Sequence, residues 1–250
     1  MRKTVFAAAL SALAASGLAL DAARAEENPQ AGFSRSEIEG IVREYLLSNP
    51  EIMYEVQAAL EEKQRREQAA NSQKVLAEAS DQIFNSPHDG VVGNPEGDVT
   101  VVEFFDYNCG FCKRALSDME TLVEKDGNLR FVLKEFPILG PDSQKAHVVS
   151  MAFRALMPEK YGEFHTRLLG SSGRATEESA MKIALELGAD EAALREEMKN
   201  PEIVEAFNTT YELANKLQIT GTPSYVVGQE VVFGALGGEV LSEKIETARQ

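Results

Sequence analysis

The sequence is poor in the residues that most often supply disulfide scaffolds or metal sites. Among 250 residues there are two Cys, no Trp and three His. Two Cys cannot staple a small scaffold. With only three His, a His-rich metal centre is not expected. Positive charge is also scarce: 25 Lys and Arg stand against 40 Asp and Glu, a net charge of −15. Such a chain has little to pair with phosphates, so nucleic acid is excluded as a partner. Long apolar runs are missing beyond the first twenty or so residues, so no later segment reads as a membrane span. What is present, 44% hydrophobic and 26% charged residues, is an ordinary globular composition. The length allows one large or two small domains with a real core.

The amino terminus reads as an address. Met1-Arg2-Lys3 is a short positive region, Thr4 to Leu20 is uncharged and rich in Ala and Leu, and Ala23-Arg24-Ala25 puts small residues before a cleavage point. This predicts a signal peptide over 1–25, cleaved after Ala25, with an uncleaved anchor as the alternative. No Cys lies near that point, which argues against a lipoprotein. The expected compartment is the periplasm, where disulfides persist.

Residues 26–85 read as a helical arm and connector. Ser34-x-x-Glu37 and Ser36-x-x-Glu39 are both possible capping boxes. Ile38, Ile41, Val42, Tyr45 and Leu46 then recur at helical spacing. Asn49-Pro50 interrupts the pattern, with Asn49 read as the cap of a second helix and Pro50 as its first residue. Ile52, Met53, Val56 and Leu60 continue on one face, and Glu61 to Lys74 is almost wholly polar. Two readings fit: a helix packed on its own domain, or an arm that buries its stripe against other copies of the chain while the polar run serves as a solvated connector. The second explains the polar run better. No heptad is sustained, so a long coiled coil is not expected.

Residues 86–250 mix strands and helices. Val99 to Phe105 and Leu129 to Phe136 read as buried strands, with a helical pattern over Gly110 to Glu124 between them: a βαβ unit. A helical block follows from about 142 to 200, broken at Met157-Pro158, Gly170 to Gly173 and Gly188 to Asp190. A helix from Pro201 to Leu217, two short strands at 224–227 and 230–233, and a last helix over Leu241 to Arg249 complete an α/β domain.

The chemistry is concentrated at Cys109-Gly110-Phe111-Cys112, which follows the first strand and opens a helix. A thiol at a helix amino terminus meets unpaired amides and the positive end of the dipole, which stabilise the thiolate. Cys109 is thus expected to be exposed and nucleophilic. Cys112, one turn further on, is expected to be shielded and to resolve a mixed disulfide. A structural disulfide across so small a loop would add little, and two thiols are half of a zinc site. His88, His147 and His165 are scattered in sequence and read as surface or satisfied residues.

From these residues the chain resembles the DsbA family of thioredoxin-fold thiol–disulfide oxidoreductases. Val102-Glu103-Phe104-Phe105-Asp106-Tyr107 leading into the Cys pair carries the likeness, with Thr220-Gly221-Thr222-Pro223-Ser224 before a strand. The resemblance covers roughly residues 90–250 and implies a thioredoxin fold with an inserted helical domain. It makes Pro223 a cis-proline beside the Cys pair, against the alternative of an ordinary turn proline. It also makes Thr222 and Pro223 a place for an extended substrate chain, with Thr222 influencing partner choice. Glu103 matches a buried acid beneath the cysteines that passes a proton to or from Cys112, and it could equally be satisfied by Lys134 on the neighbouring strand. Phe136 to Gly140 matches a structural loop. Gly110 and Phe111 tune the redox pair: the strongly oxidising member of the family carries Pro-His there. The Cys109 pKa is accordingly expected below the free value of about 8.5 but above the extreme of about 3.5. The couple should then lie between about −270 and −120 mV.

An amino-terminal arm before such a domain is similar to ScsC-type proteins, which implies a homo-oligomer joined through the arm. No cofactor is expected, and the partners are protein substrates with thiols or disulfides together with a membrane redox partner. Three functions remain open. One is a disulfide isomerase or reductase kept reduced by a membrane reductase. Another is a dithiol oxidase served by a DsbB-like partner. The third is a copper-binding or chaperone protein.

Overall fold

The computed structural model describes residues 32–250. The signal peptide and its cleavage point lie outside the described residues. The chain falls into two compact units, one up to Val56 and one from Gln57 onward.

The first unit contains α1 (Arg35–Ser48) and the start of α2 (Ile52–Glu78). Of the two possible capping boxes, Ser34 with Glu37 is the one that starts α1. The Ser34 hydroxyl accepts from the Glu37 N–H, and the Glu37 carboxylate accepts from the Ser34 N–H at 2.8 Å. Nothing in α1 is buried: Ile38, Ile41, Val42, Tyr45 and Leu47 are all exposed. Asn49 does not cap the next helix as expected. Its side-chain amide turns back and donates to Tyr45 O at 2.8 Å, closing α1, and Pro50 and Glu51 form a turn before α2.

The second unit begins within α2. The polar run Glu61 to Lys74 is helical, its exposed side laced by pairs such as Glu62 with Arg65 and Lys63 with Glu67. Such pairs, three or four residues apart, support a helix that has little apolar face of its own. At its end Val75 and Leu76 turn inward beside Ile83 of α3 (Ser80–Phe84) and join a buried cluster with Val102, Phe104 and Val132. The expected division at residue 85 therefore cuts through a packed core. The helical repeat carries apolar residues back onto the sheet only after the polar turns.

Five strands form one sheet: β1 (Gly90–Gly93), β2 (Val99–Phe105), β3 (Leu129–Glu135), β4 (Ser224–Val227) and β5 (Glu230–Phe233), in the order β1-β3-β2-β4-β5. β2 and β3 are parallel, joined by α4 (Gly110–Lys125) as the expected βαβ unit, and β4 and β5 make the expected hairpin. Central strands covered on both faces are buried along almost their whole length, as β2 and β3 are, and the charged Glu103, Lys134 and Glu135 are buried with their apolar neighbours. β1, antiparallel to β3, was not anticipated. It has four residues and opens on Gly90, the last of a run, Ser86-Pro87-His88-Asp89-Gly90, whose composition reads as a breaker. Here that glycine is needed because a Cβ would fall inside the Tyr161 ring.

The two faces separate cleanly. Val101, Phe105, Phe131, Leu133 and Tyr225 face α4, α10 (Gly238–Ala248) and the inserted helices. Val102, Phe104, Val132 and Val226 face the end of α2, α3 and α9 (Pro201–Lys216). The insertion comprises α5 (Pro141–Leu156), a 3-10 turn, α6 (Tyr161–Leu169), α7 (Glu177–Glu186) and α8 (Glu191–Glu197). Its ends follow the sequence signals: Asp190 accepts from Ala193 N–H at 2.8 Å, and Asn200 accepts from Glu202 N–H before Pro201. Among the described residues no helix is long and apolar enough to cross a membrane.

Candidate active site

β2 ends in a buried turn, Asp106 to Asn108, that delivers Cys109 to the N-cap of α4. The Cys109 N–H donates to Asp106 O at 2.9 Å. Its Sγ accepts from the Cys112 N–H at 3.4 Å and lies 3.1 Å from Thr222 O, to which the thiol donates. The sulfurs are not bonded to one another. Cys112 is fully buried one turn on, as expected, but Cys109 is only 6% exposed. The expectation of an exposed Cys109 is corrected here: the Thr222–Pro223 loop, entering β4 from far along the chain, lies against its sulfur.

The two thiols are electrostatically unlike. Cys109 is pulled down to about 5, chiefly by the hydrogen bond from the Cys112 thiol, then by Thr222 and by the Cys112 and Phe111 amides. Cys112 is pushed far above the usual thiol value by burial, by its hydrogen bond to Cys109 and by the charge of Glu103. Gly110 opens α4, and Phe111 is 57% exposed with the Arg114 guanidinium 4.3 Å from its ring centroid. The Thr222–Pro223 peptide is cis.

Glu103 is buried in β2 on the face that carries Val101 and Phe105, opposite Leu133 and Tyr225. Burial, and then the Cys109 charge, raise its pKa to about 8. The alternative partner, Lys134, is not available to it. The parallel register places Lys134 beside Phe104, so its side chain leaves by the other face of the sheet. There it meets Asp89 at 2.5 Å and donates to Gln82 O at 2.7 Å. Side chains alternate faces along a strand, so a one-residue offset in register decides the pairing.

Several residues of the site are not apparent from sequence. Asp106 holds the turn: its Oδ1 accepts from Asn108 N–H and from the Ser143 hydroxyl, each at 2.8 Å, and its Oδ2 accepts from Leu139 N–H at 2.9 Å. The loop Phe136 to Gly140 is thereby fastened to the turn before Cys109. Asn108 bridges to Ala175 through both its amide nitrogen and its oxygen. His147 and His165, remote in sequence, are both buried against Phe105 and Tyr107. The available signal is a pair of charges, Lys134-Glu135, directly after the apolar run Phe131 to Leu133.

A sheet of this order, carrying a dithiol at a helix N-cap beside a cis-proline, defines a thioredoxin-type thiol–disulfide oxidoreductase. The chain belongs to the DSBA-like thioredoxin domain family, whose sequence pattern matches residues 100–246. Residues 35–67 match a second family, the copper resistance protein ScsC N-terminal domain. Among solved structures, the chain is similar to a thioredoxin-like oxidoreductase from Silicibacter pomeroyi. That likeness has 44% identity and a TM-score of 0.64, over 68% of this chain and 96% of the other. It is similar to the thiol-disulfide exchange protein alpha-DsbA2 from Wolbachia pipientis, at 30% identity and a TM-score of 0.66, over 72% and 96%. BcfH of Salmonella enterica Typhimurium aligns over 86% of this chain and 96% of its own, at 26% identity and a TM-score of 0.74. The activity is thiol–disulfide exchange on protein substrates.

Proposed function

We propose that the chain is a periplasmic disulfide isomerase or reductase that works through Cys109 and Cys112 and assembles into a homo-oligomer through its amino-terminal arm. The observation that carries the chemistry is the asymmetry of the pair: one thiol ionised at neutral pH, its neighbour buried and protonated. The Cys109 thiolate attacks a substrate disulfide, forming a mixed disulfide and releasing one substrate thiolate. A different substrate thiolate then attacks the substrate sulfur of the mixed disulfide, forming a new substrate disulfide and expelling the Cys109 thiolate, so that the substrate is rearranged with no net oxidation or reduction. In the reductive branch Cys112 gives its proton to the Glu103 carboxylate and attacks Cys109 Sγ. The second substrate thiolate is released, and two electrons pass to the substrate as the Cys109–Cys112 disulfide forms. Glu103, near pH 8, exchanges that proton readily at neutral pH. Thr222 and Pro223, against Cys109, line the place where an extended substrate chain lies. No cofactor takes part.

The arm supports the isomerase reading. Ile38, Ile41, Val42 and Tyr45 present an apolar stripe with no buried residue on α1, a surface suited to copies of itself. Several thiolates facing one space can hold a misfolded chain through repeated attack, and the same assembly hinders a membrane oxidase. A membrane reductase would keep the pair reduced. One observation favours a second reading, a dithiol oxidase served by a DsbB-like partner: a Cys109 pKa of about 5 lies toward the oxidising end of such couples. Reactivation of scrambled ribonuclease separates the two. Isomerase function predicts that the chain from Glu26 reshuffles scrambled enzyme and a chain starting near Ser72 does not. An oxidase would fail with scrambled enzyme in both forms while oxidising reduced ribonuclease.

A further inference from the structure

Behind the cysteines, where β3 ends, lies a buried polar cluster that the exchange steps leave unused. The Glu135 carboxylate is its centre. Oε1 accepts from Ser150 Oγ at 2.7 Å and from Tyr161 Oη at 3.0 Å, and Oε2 accepts from His147 Nδ1. Ser150 has one proton and gives it to Glu135, so in the 2.7 Å contact between Ser150 and Tyr107 the phenol donates. The same accounting orients His147. Its Nδ1 proton goes to Glu135, and its bare Nε2 accepts the Tyr107 backbone N–H at 3.1 Å.

That amide belongs to the turn that presents Cys109. Three backbone N–H groups follow one another there. Asn108 donates to Asp106 Oδ1 and Cys109 donates to Asp106 O, both acceptors within the turn. Only Tyr107 takes its acceptor from outside, on α5 of the insertion. Without the imidazole this N–H would be buried and unpaired, and the turn would move to find a partner. Any such movement shifts Cys109 Sγ relative to the Cys112 amide, a donor that holds its charge.

We infer that His147, held in one tautomer by Glu135, is a positioning residue of the exchange site, fixing through Tyr107 the turn that places Cys109. The inference rests on the reading of Cys109 as the nucleophile. The groups facing His147 are Glu135 from β3, Asp106 from the end of β2, whose Oδ1 is 3.9 Å from Nε2, Tyr107, and His165 of α6, whose own pKa is lowered by burial and then by the His147 charge, while Tyr161 of α6 reaches the shared Glu135 carboxylate. Burial opposes a second proton on the imidazole, Glu135 and Asp106 favour it, and the balance is upward. A proton on Nε2 would point at another donor, so acid releases the same turn that loss of the ring releases.

The test is titration of the Cys109 thiolate by its ultraviolet absorbance in the reduced full chain, together with the equilibrium against glutathione. His147→Leu fills the space without an acceptor and should raise the Cys109 midpoint by about one pH unit, a tenfold change in the thiolate equilibrium. His147→Gln, whose amide oxygen can accept from Tyr107, should recover part of the shift. Glu135→Gln, which loosens the tautomer, should move it the same way by less. A residue needed only for stability would lower the melting temperature and leave the titration of the folded protein unchanged. A folded His147→Leu with the parental midpoint and the parental glutathione equilibrium would overturn the inference. Should that variant not fold, a parental midpoint in Glu135→Gln would overturn it equally. Failure of the underlying reading shows separately, as full exchange activity in Cys109→Ser.

Discussion

Replacing Glu103 by Gln removes a buried acid while keeping its size, and the consequences can be worked through in sign and size. In the folded chain its pKa rises from the ordinary value of 4.5 to about 8, through burial and the Cys109 charge. The unfolded chain ionises it from about pH 4.5 upward, and the folded chain does not until about 8. A raised acid stabilises the fold fully below the lower value, and that contribution is lost as pH climbs to the upper one. At about 1.4 kcal/mol per pH unit, the loss by pH 7 is about 3 kcal/mol. Glu103→Gln should therefore gain on the parent by about 3 kcal/mol between pH 4.5 and 7. Cys109 titrates with the opposite sign, since its lowered pKa adds stability that disappears as pH falls through about 5. Comparing variant with parent cancels most of that. The assay is urea unfolding of both reduced proteins at several pH values, with equal slopes required. Exchange should suffer in return: closing the mixed disulfide through Cys112 loses its proton acceptor, a slowing of about a hundredfold or more. Stability curves that stay parallel from pH 4.5 to 8, with an unchanged resolution rate, would refute the assignment of Glu103.

The asymmetry of the thiols makes a second claim. Alkylation of Cys109 should follow a titration centred near pH 5, and Cys112→Ala should move that centre toward the ordinary thiol value, because the Cys112 thiol is its largest stabilising contact. An unmoved centre would show that the helix end alone sets the thiolate. On the other face of the sheet, Lys134→Met strands Asp89, whose pKa burial already raises to about 6. Breaking such a pair should cost about 3–5 kcal/mol at pH 8 and less at pH 5, where Asp89 is protonated, as read from melting curves at the two pH values.

Much of this site was legible because its signals are local. The strand Val99 to Phe105, the Cys pair at the start of a helix and Pro223 before a strand each lie within a few residues of sequence, and each stands where it was expected. What sequence did not reveal depends on register and on distant contacts. Lys134 looked like a partner for Glu103 because both are charged and on adjacent strands, yet the register sends them to opposite faces. Cys109 reads as exposed when its own helix is considered alone, and it is the Thr222 loop that covers it. His147 and Glu135 meet across β3 and α5, so no spacing rule joins them. After the polar run of α2 the apolar spacing resumes at Val75, Leu76, Ile83 and Phe84, but no local rule says that these residues join the sheet rather than the arm.

The central claim is that Cys109 makes the bond to substrate and Cys112 breaks it. A Cys112→Ala variant incubated with a disulfide-containing protein should accumulate a covalent complex, and peptide mass spectrometry should place the link on Cys109. Cys109→Ala should trap nothing. A complex that forms through Cys112 in the second variant, or none in the first, would contradict the account.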